Sequence, residues 1–206
     1  MLLFAAAIAT TASAAPEAAP VPGAEDVVVI TFKIDRPRGI YYFEPAGVRV
    51  RPGQLVRFVS TDYRQSVTAY HPANSARPLR IPERAKPFDA MLGEQAQNYR
   101  GVFEHRFTIE GTYDYFNRQQ EARGAVGRIV VGRPGGPAER PLGVGAAPAQ
   151  PEGFVGLSTD PTRLKIVRQI FDLLPSARIV QEGKISLPLD RIAPGYAHHA
   201  RNEPIP

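Results

Sequence analysis

The chain of 206 residues has no cysteine and no tryptophan. The missing thiol excludes disulfides, thiolate nucleophiles, zinc ribbons, iron–sulfur clusters, lipidation at a cysteine and any metal centre built on a cysteine sulfur. Dense basic blocks are also missing. The formal net charge is +5, almost all from arginine, and the cations are spread along the chain. That suits an acidic partner surface or anionic lipid headgroups, and it lacks the clustered footprint that tracks nucleic-acid phosphates. No nucleophile elbow, HExxH or phosphate-cradling GxxxxGK[ST] occurs, so no enzyme is expected. Beyond the N-terminus no segment approaches the ~20 consecutive apolar residues of a bilayer span.

What is present divides the chain into five parts. In MLLFAAAIATTASAAPEAAP an apolar run, Leu2 to Ile8, precedes the small-x-small triplet Ala12-Ser13-Ala14. This pattern predicts a signal peptide over residues 1–14 and a periplasmic or extracellular protein, although the charged n-region is missing. Residues 15–24 are a Pro/Ala leader without apolar periodicity. Residues 25–132 carry strand signals: the β-branched VVVITFKI, the LVRFV and QSVTAY runs, the period-2 alternation around Phe103, His105 and Phe107, and VGRIVV. Seven or so short strands in one domain predict an all-β, Greek-key β-sandwich. The Pro-rich excursion from His71 to Arg100 is expected to hold one short helix around Phe88 to Leu92. Residues 133–153 read as a Pro/Gly-rich linker, and residues 154–206 as a C-terminal extension.

The extension is expected to contain one amphipathic helix over about 161–174. Asp160 suits the N-cap and Pro161 the first helical position. Leu164, Val167, Ile170, Phe171 and Leu174 share one face, with Arg163, Lys165, Arg168 and Asp172 opposite; Pro175 ends the helix. A lone helix of this length is marginal, so the apolar face must dock. Its own sandwich, a partner protein and a membrane surface all remain open as the seat.

The order FEPAGVRVRPGQLVRFVS, QSVTAYHP, PFDAML, FEHRFTIEGTYDYF and GAVGRIVVG resembles the small blue copper proteins, the cupredoxins of the plastocyanin, pseudoazurin and halocyanin type, over residues 43–132. The resemblance implies a copper site of one histidine followed by Cys, His and Met in the spacing C-x-x-H-x-x-x-x-M. Those positions fall here on Gln65, Asn117, Gln120 and Ala125. The spacing is kept and all four ligands are gone. A blue copper centre needs a thiolate and two imidazoles, which two glutamines, an asparagine and a methyl group do not supply, so no metal and no cofactor are expected.

The four histidines offer no replacement. His105 alternates with phenylalanines and reads as a core residue, His71 precedes a proline at a strand exit, and His198 and His199 lie in a Pro-flanked tail. The amides of Gln65, Asn117 and Gln120 are expected to hydrogen-bond to one another where the metal would sit. Asp114 and Glu121 read as solvated or paired with Arg118 and Arg123. In the family, the rim of this loop is the docking surface for redox partners. Carried over, it comprises Phe116, Arg118 and Arg123, with the helix face Leu164, Val167, Ile170, Phe171 and Leu174 as a second candidate surface. The expected function is a structural or interaction subunit whose partner is another protein, in an extracytoplasmic or membrane-associated assembly. Copper-based electron transfer and small-ligand binding are the alternatives.

Overall fold

A computed structural model of the chain describes residues 26–62, 64–92, 101–142 and 161–192, with only the backbone of 161–164. The expected signal peptide, leader, and His198 and His199 lie outside these residues. Among these residues ten strands form two sheets. They are β1 (Val28–Asp35), β2 (Ile40–Glu44), β3 (Gly47–Val50), β4 (Leu55–Ser60), β5 (Gln65–Ala69), β6 (Asp89–Leu92), β7 (Gly101–Arg106), β8 (Gly111–Phe116), β9 (Val126–Val131) and β10 (Lys184–Ile185). A four-stranded sheet runs β2-β1-β4-β7, and a six-stranded sheet runs β10-β3-β9-β8-β5-β6. The β1–β4 and β3–β9 pairs are parallel. Parallel neighbours need crossovers, and here these carry the chain between the two sheets.

Burial patterns show what covers each sheet. β1 and β4 alternate between buried and more exposed positions, as expected where one face meets water. Every residue of β8 and β9 is buried, so the six-stranded sheet is covered on both faces. One core lies between the sheets, around Phe32, Phe43, Phe58, Phe88, Phe107 and Tyr115. A second core lies between the six-stranded sheet and helices α1 (Pro161–Leu173) and α2 (Ser176–Glu182), joining Tyr70, Phe116, Val126 and Val130 to Val167, Ile170, Phe171, Leu174 and Ile179.

In its secondary structure and linker the chain departs from the sequence reading in three places. Asp89–Leu92 is the edge strand β6, not a helix; its residues pair with β5 from Gln65↔Leu92 to Thr68↔Asp89, because a neighbouring strand satisfies backbone groups that a single helical turn leaves open. The described part of the extension has two helices rather than one. Pro175 ends α1 as expected, and it also opens α2, which closes at Gly183 with φ +77. Arg178 and Glu182 pair one turn apart on α2, at 2.6 Å. The first part of the expected linker is folded onto the sandwich: Gly135 O accepts the Thr112 amide at 2.9 Å, and Ala138 is 1% exposed. No helix among the described residues is long and apolar enough to cross a membrane.

Candidate functional site

The loop between β8 and β9, residues 117–125, is fixed at its mouth. Asn117 N–H donates to Ala125 O at 2.9 Å, closing the mouth as a continuation of the β8–β9 pairing. Inside, a 3-10 turn, Glu121–Arg123, ends at Gly124 in the left-handed region, φ +102. Side chains of α1 also pack against Gly124. A Cβ there would lie 3.0 Å from Ile170 Cδ1, so a larger residue meets both a backbone and a packing penalty.

Asn117 organises what remains. Its side chain is fully buried. Oδ1 accepts the amides of Gln119 (2.9 Å) and Gln120 (3.1 Å). Nδ2 donates to Gln65 Oε1 across the strands at 3.0 Å. Beside it, Ser66 Oγ accepts the Arg118 amide at 2.8 Å and donates to Gln119 Oε1 at 3.1 Å. One side chain thus ties the loop backbone to itself and to β5. Gln120 does not join: its Oε1 is buried without a hydrogen-bond partner among the described residues. The expected cluster of three amides is therefore a pair, Gln65 with Asn117. Asn117→Ala is expected to lose about 1–3 kcal/mol, since the Gln119 and Gln120 amides and Gln65 each lose one hydrogen bond. Denaturant unfolding measures the loss, and faster amide exchange at Gln119 and Gln120 locates it.

This donor set does not fit a blue copper ion. Two carboxamides already bonded to each other, a third amide and the methyl of Ala125, 0% exposed, supply neither the thiolate nor the imidazoles such an ion needs. No grouping of His, Asp and Glu suited to a metal occurs among the described residues. His71 Nδ1 accepts the Ala73 amide at 3.1 Å. His105 meets Phe107 edge-on, centroids 4.6 Å apart, and burial lowers its pKa. Two grooves, of about 730 and 770 Å3, are lined by other parts of the chain, so neither provides the ligand cavity behind Asn117.

The two expected contact surfaces fare differently. Phe116 is not on a rim: it is fully buried, 4.6 Å from the Tyr70 ring and under the Arg77 guanidinium at 4.9 Å. Arg123 is turned onto Tyr41, donating to its hydroxyl at 2.9 Å with the guanidinium 5.0 Å from the ring centroid. Arg118 stays exposed and pairs with Asp89 at 2.8 Å. The helix face is not offered to a partner either. Val167, Ile170, Phe171 and Leu174 are between 0% and 7% exposed, packed on the chain's own six-stranded sheet; the Leu164 side chain lies outside the described residues.

The carboxylates near the loop, expected to be solvated or paired with Arg118 and Arg123, are buried and paired with other arginines. Asp114, 0% exposed, accepts from Arg80 Nε at 2.7 Å and from Arg128 Nε and Nη2 at 2.7 and 3.0 Å. Both arginines then reach the C-terminal region. Arg80 donates to Ala138 O and Arg140 O, and Arg128 to Leu174 O and Ala138 O. Burial opposes the charge on Arg128, but Asp114 and Glu139 outweigh it and raise its pKa. Glu139 accepts from Thr112 Oγ1 and Ser176 Oγ. A second cluster sits under the loop: Glu121 accepts from Tyr70 OH at 2.6 Å and from Arg77 Nη2 at 2.5 Å. Burial raises the pKa of both Tyr70 and Glu121, against the opposing pull of Arg77.

No protein-family model matches the chain. A curated relative, the pseudoazurin of Methylorubrum extorquens, is 28% identical over 132 residues, which cover 64% of this chain and 80% of the relative. Among solved structures, the pseudoazurin of Methylobacterium extorquens AM1 aligns over 76% of this chain and 99% of its own, with 20% identity and a TM-score of 0.45. The plastocyanin of Dryopteris crassirhizoma aligns over 50% and 99%, with 17% identity and a TM-score of 0.37. Similar in sequence to a pseudoazurin and built as two facing sheets with a pair of helices on one of them, the chain has a cupredoxin-like fold, and it has it without a single cysteine.

Proposed function

We propose that the protein is an exported, metal-free cupredoxin-like scaffold that acts by binding another protein, as a structural subunit of an extracytoplasmic or membrane-associated assembly, and catalyses no reaction. The observation that carries this reading is Asn117, whose side chain holds the loop through three hydrogen bonds. Amides that hold the loop in shape let its rim persist without a metal, which supports a binding role. The contact surface is the part of the rim left free of α1: Arg118 with Asp89, and Gln119 beside Met91.

The first test is optical. Cu(II) added to the purified protein is expected to give no intense thiolate-to-copper band in the visible spectrum and no stoichiometric binding. A strong band with saturable binding overturns the reading in favour of copper electron transfer. The second test asks for the partner. The full chain, used as bait on solubilised membranes, is expected to retain a protein that an Arg118→Glu variant of equal thermal stability releases. Equal retention by both removes the rim as the contact surface.

A further inference from the structure

We infer that the groove between the Pro82–Ala85 turn and the segment 133–140 binds an extended, acidic stretch of a partner protein. This rests on the reading that the chain acts by binding protein, and it adds a second contact region to the rim. The groove lies at the other end of the sandwich. Gly111 opens β8, and the β8–β9 loop begins after Phe116, so about 17 Å of strand separates the two.

The groove encloses about 730 Å3, within the usual range of ligand sites. Its walls are already fixed. The turn is closed by Ala85 N–H, which donates to Pro82 O at 2.8 Å. The facing segment is held by Gly135 O, which accepts the Thr112 amide, and by Ala138 O and Arg140 O, which accept from Arg80. Gly111, at φ +136, lets the walls close up: a Cβ there would lie 2.7 Å from Pro82 Cγ and 3.1 Å from Gly135 O. A Cβ on Gly135 would meet nothing within 4 Å, so the space over that backbone is open. A peptide laid against walls set in advance loses less to ordering than one that must shape its own site.

Charge names the occupant. Arg84, Arg133 and Arg140 line the groove, with Glu83 and Glu110. Glu110 is already taken, since Arg133 Nε and Nη2 both donate to its Oε2, at 3.2 and 2.9 Å. The side chains of Arg84 and Arg140 have no bonded partner among the described residues. That leaves two unpaired guanidinium groups, one on each wall, against the single carboxylate of Glu83. A guanidinium takes a carboxylate through two parallel hydrogen bonds, so acidic side chains along one strand engage both walls. No aromatic ring lines the groove, and an apolar ligand finds nothing there to stack on.

Fluorescence anisotropy of a labelled hexaglutamate peptide, titrated with the full chain, tests this. Saturable binding is expected, and none with the uncharged hexaglutamine peptide. Arg84→Glu and Arg140→Glu are each expected to weaken binding by about fivefold or more, because an attraction becomes a repulsion. Glu83→Gln is expected to tighten it by about twofold or more, since the one opposing charge is gone. Arg36→Glu makes the same charge change at an exposed arginine in the turn after β1, outside the groove, and is expected to leave binding unaltered. Thermal unfolding establishes that each variant folds. Absence of saturable binding, equal binding of the glutamine peptide, or an Arg36→Glu variant as weak as Arg84→Glu each overturns the proposal, the last because attraction to the net charge alone then accounts for the binding. No residue of the rim enters these measurements, so the groove and the rim fail separately.

Discussion

An Asp114→Ala variant is expected to lose about 3–5 kcal/mol of folding stability, the loss that follows removal of one partner from a buried ion pair. Asp114 is the only carboxylate to which both Arg80 and Arg128 are recorded as bonded, and the side chains of all three are at most 7% exposed. Without it, two guanidinium groups stay buried with Glu139 as the nearby anion. The damage extends beyond the sheet because those arginines donate to Ala138 O, Arg140 O and Leu174 O. Thermal unfolding is expected to fall by on the order of 10 °C. Amide exchange is expected to quicken around Pro137–Glu139 and at the junction of α1 and α2 more than in β1 or β4. A loss below about 1 kcal/mol would show that the cluster contributes little.

Phe171→Ala is expected to cost a similar amount, about 3–5 kcal/mol, through a different mechanism. The ring lies 6.0 Å from Tyr70 in an edge-on arrangement, and it carries the guanidinium groups of Arg80 and Arg128 at 5.5 and 5.3 Å. Truncation removes the apolar plug between α1 and the six-stranded sheet together with two desolvated cation–ring contacts. Urea unfolding measures the loss, and limited proteolysis is expected to cut within α1 first. Because Phe171 and Asp114 share both arginines, the double variant is expected to depart from additivity by at least about 0.5 kcal/mol. Simple additivity would mean that the rings and the ion pairs act separately.

The sandwich and α1 were legible because their signals are local. β-branched runs marked β1, β4 and β9, and the spacing of Val167, Ile170, Phe171 and Leu174 marked the helix. The second helix was within reach: Pro175 can open a helix, Arg178 and Glu182 stand one turn apart, and Gly183 closes it. What the sequence hid was the second cover on the six-stranded sheet. In β8, Thr112, Asp114 and Phe116 alternate with Tyr113 and Tyr115, and a polar residue in alternation reads as solvent-facing. That face instead meets the C-terminal region, so Asp114 is buried. One clue was available. Arg128 is a charge inside an otherwise apolar strand, and the β8–β9 register sets it directly opposite Asp114. Arg80, 34 residues before Asp114 in sequence, carried no such clue. The Asn117 arrangement was half legible: the vacated ligand spacing pointed to amides meeting there, but the turn of its Oδ1 onto its own loop depends on backbone geometry.

The pairing of β10 with β3 joins Lys184 to Val48 and Ile185 to Gly47. It therefore links positions near opposite ends of the described chain, and it governs the order in which the molecule can be completed. β3 lies near the start of the chain, yet its outer neighbour and the helix packed over Gly47, where Ile179 and Leu174 side chains approach closely, are among the last described parts to be made. A chain still emerging from the ribosome has the strands of both sheets apart from β10, but not the lid that shields Val126, Val130 and Phe116. Contacts this distant in sequence form slowly, and apolar surface exposed in the meantime invites aggregation. Until α1 and α2 are made, the face they cover is expected to stay open, and the window of vulnerability closes when they dock.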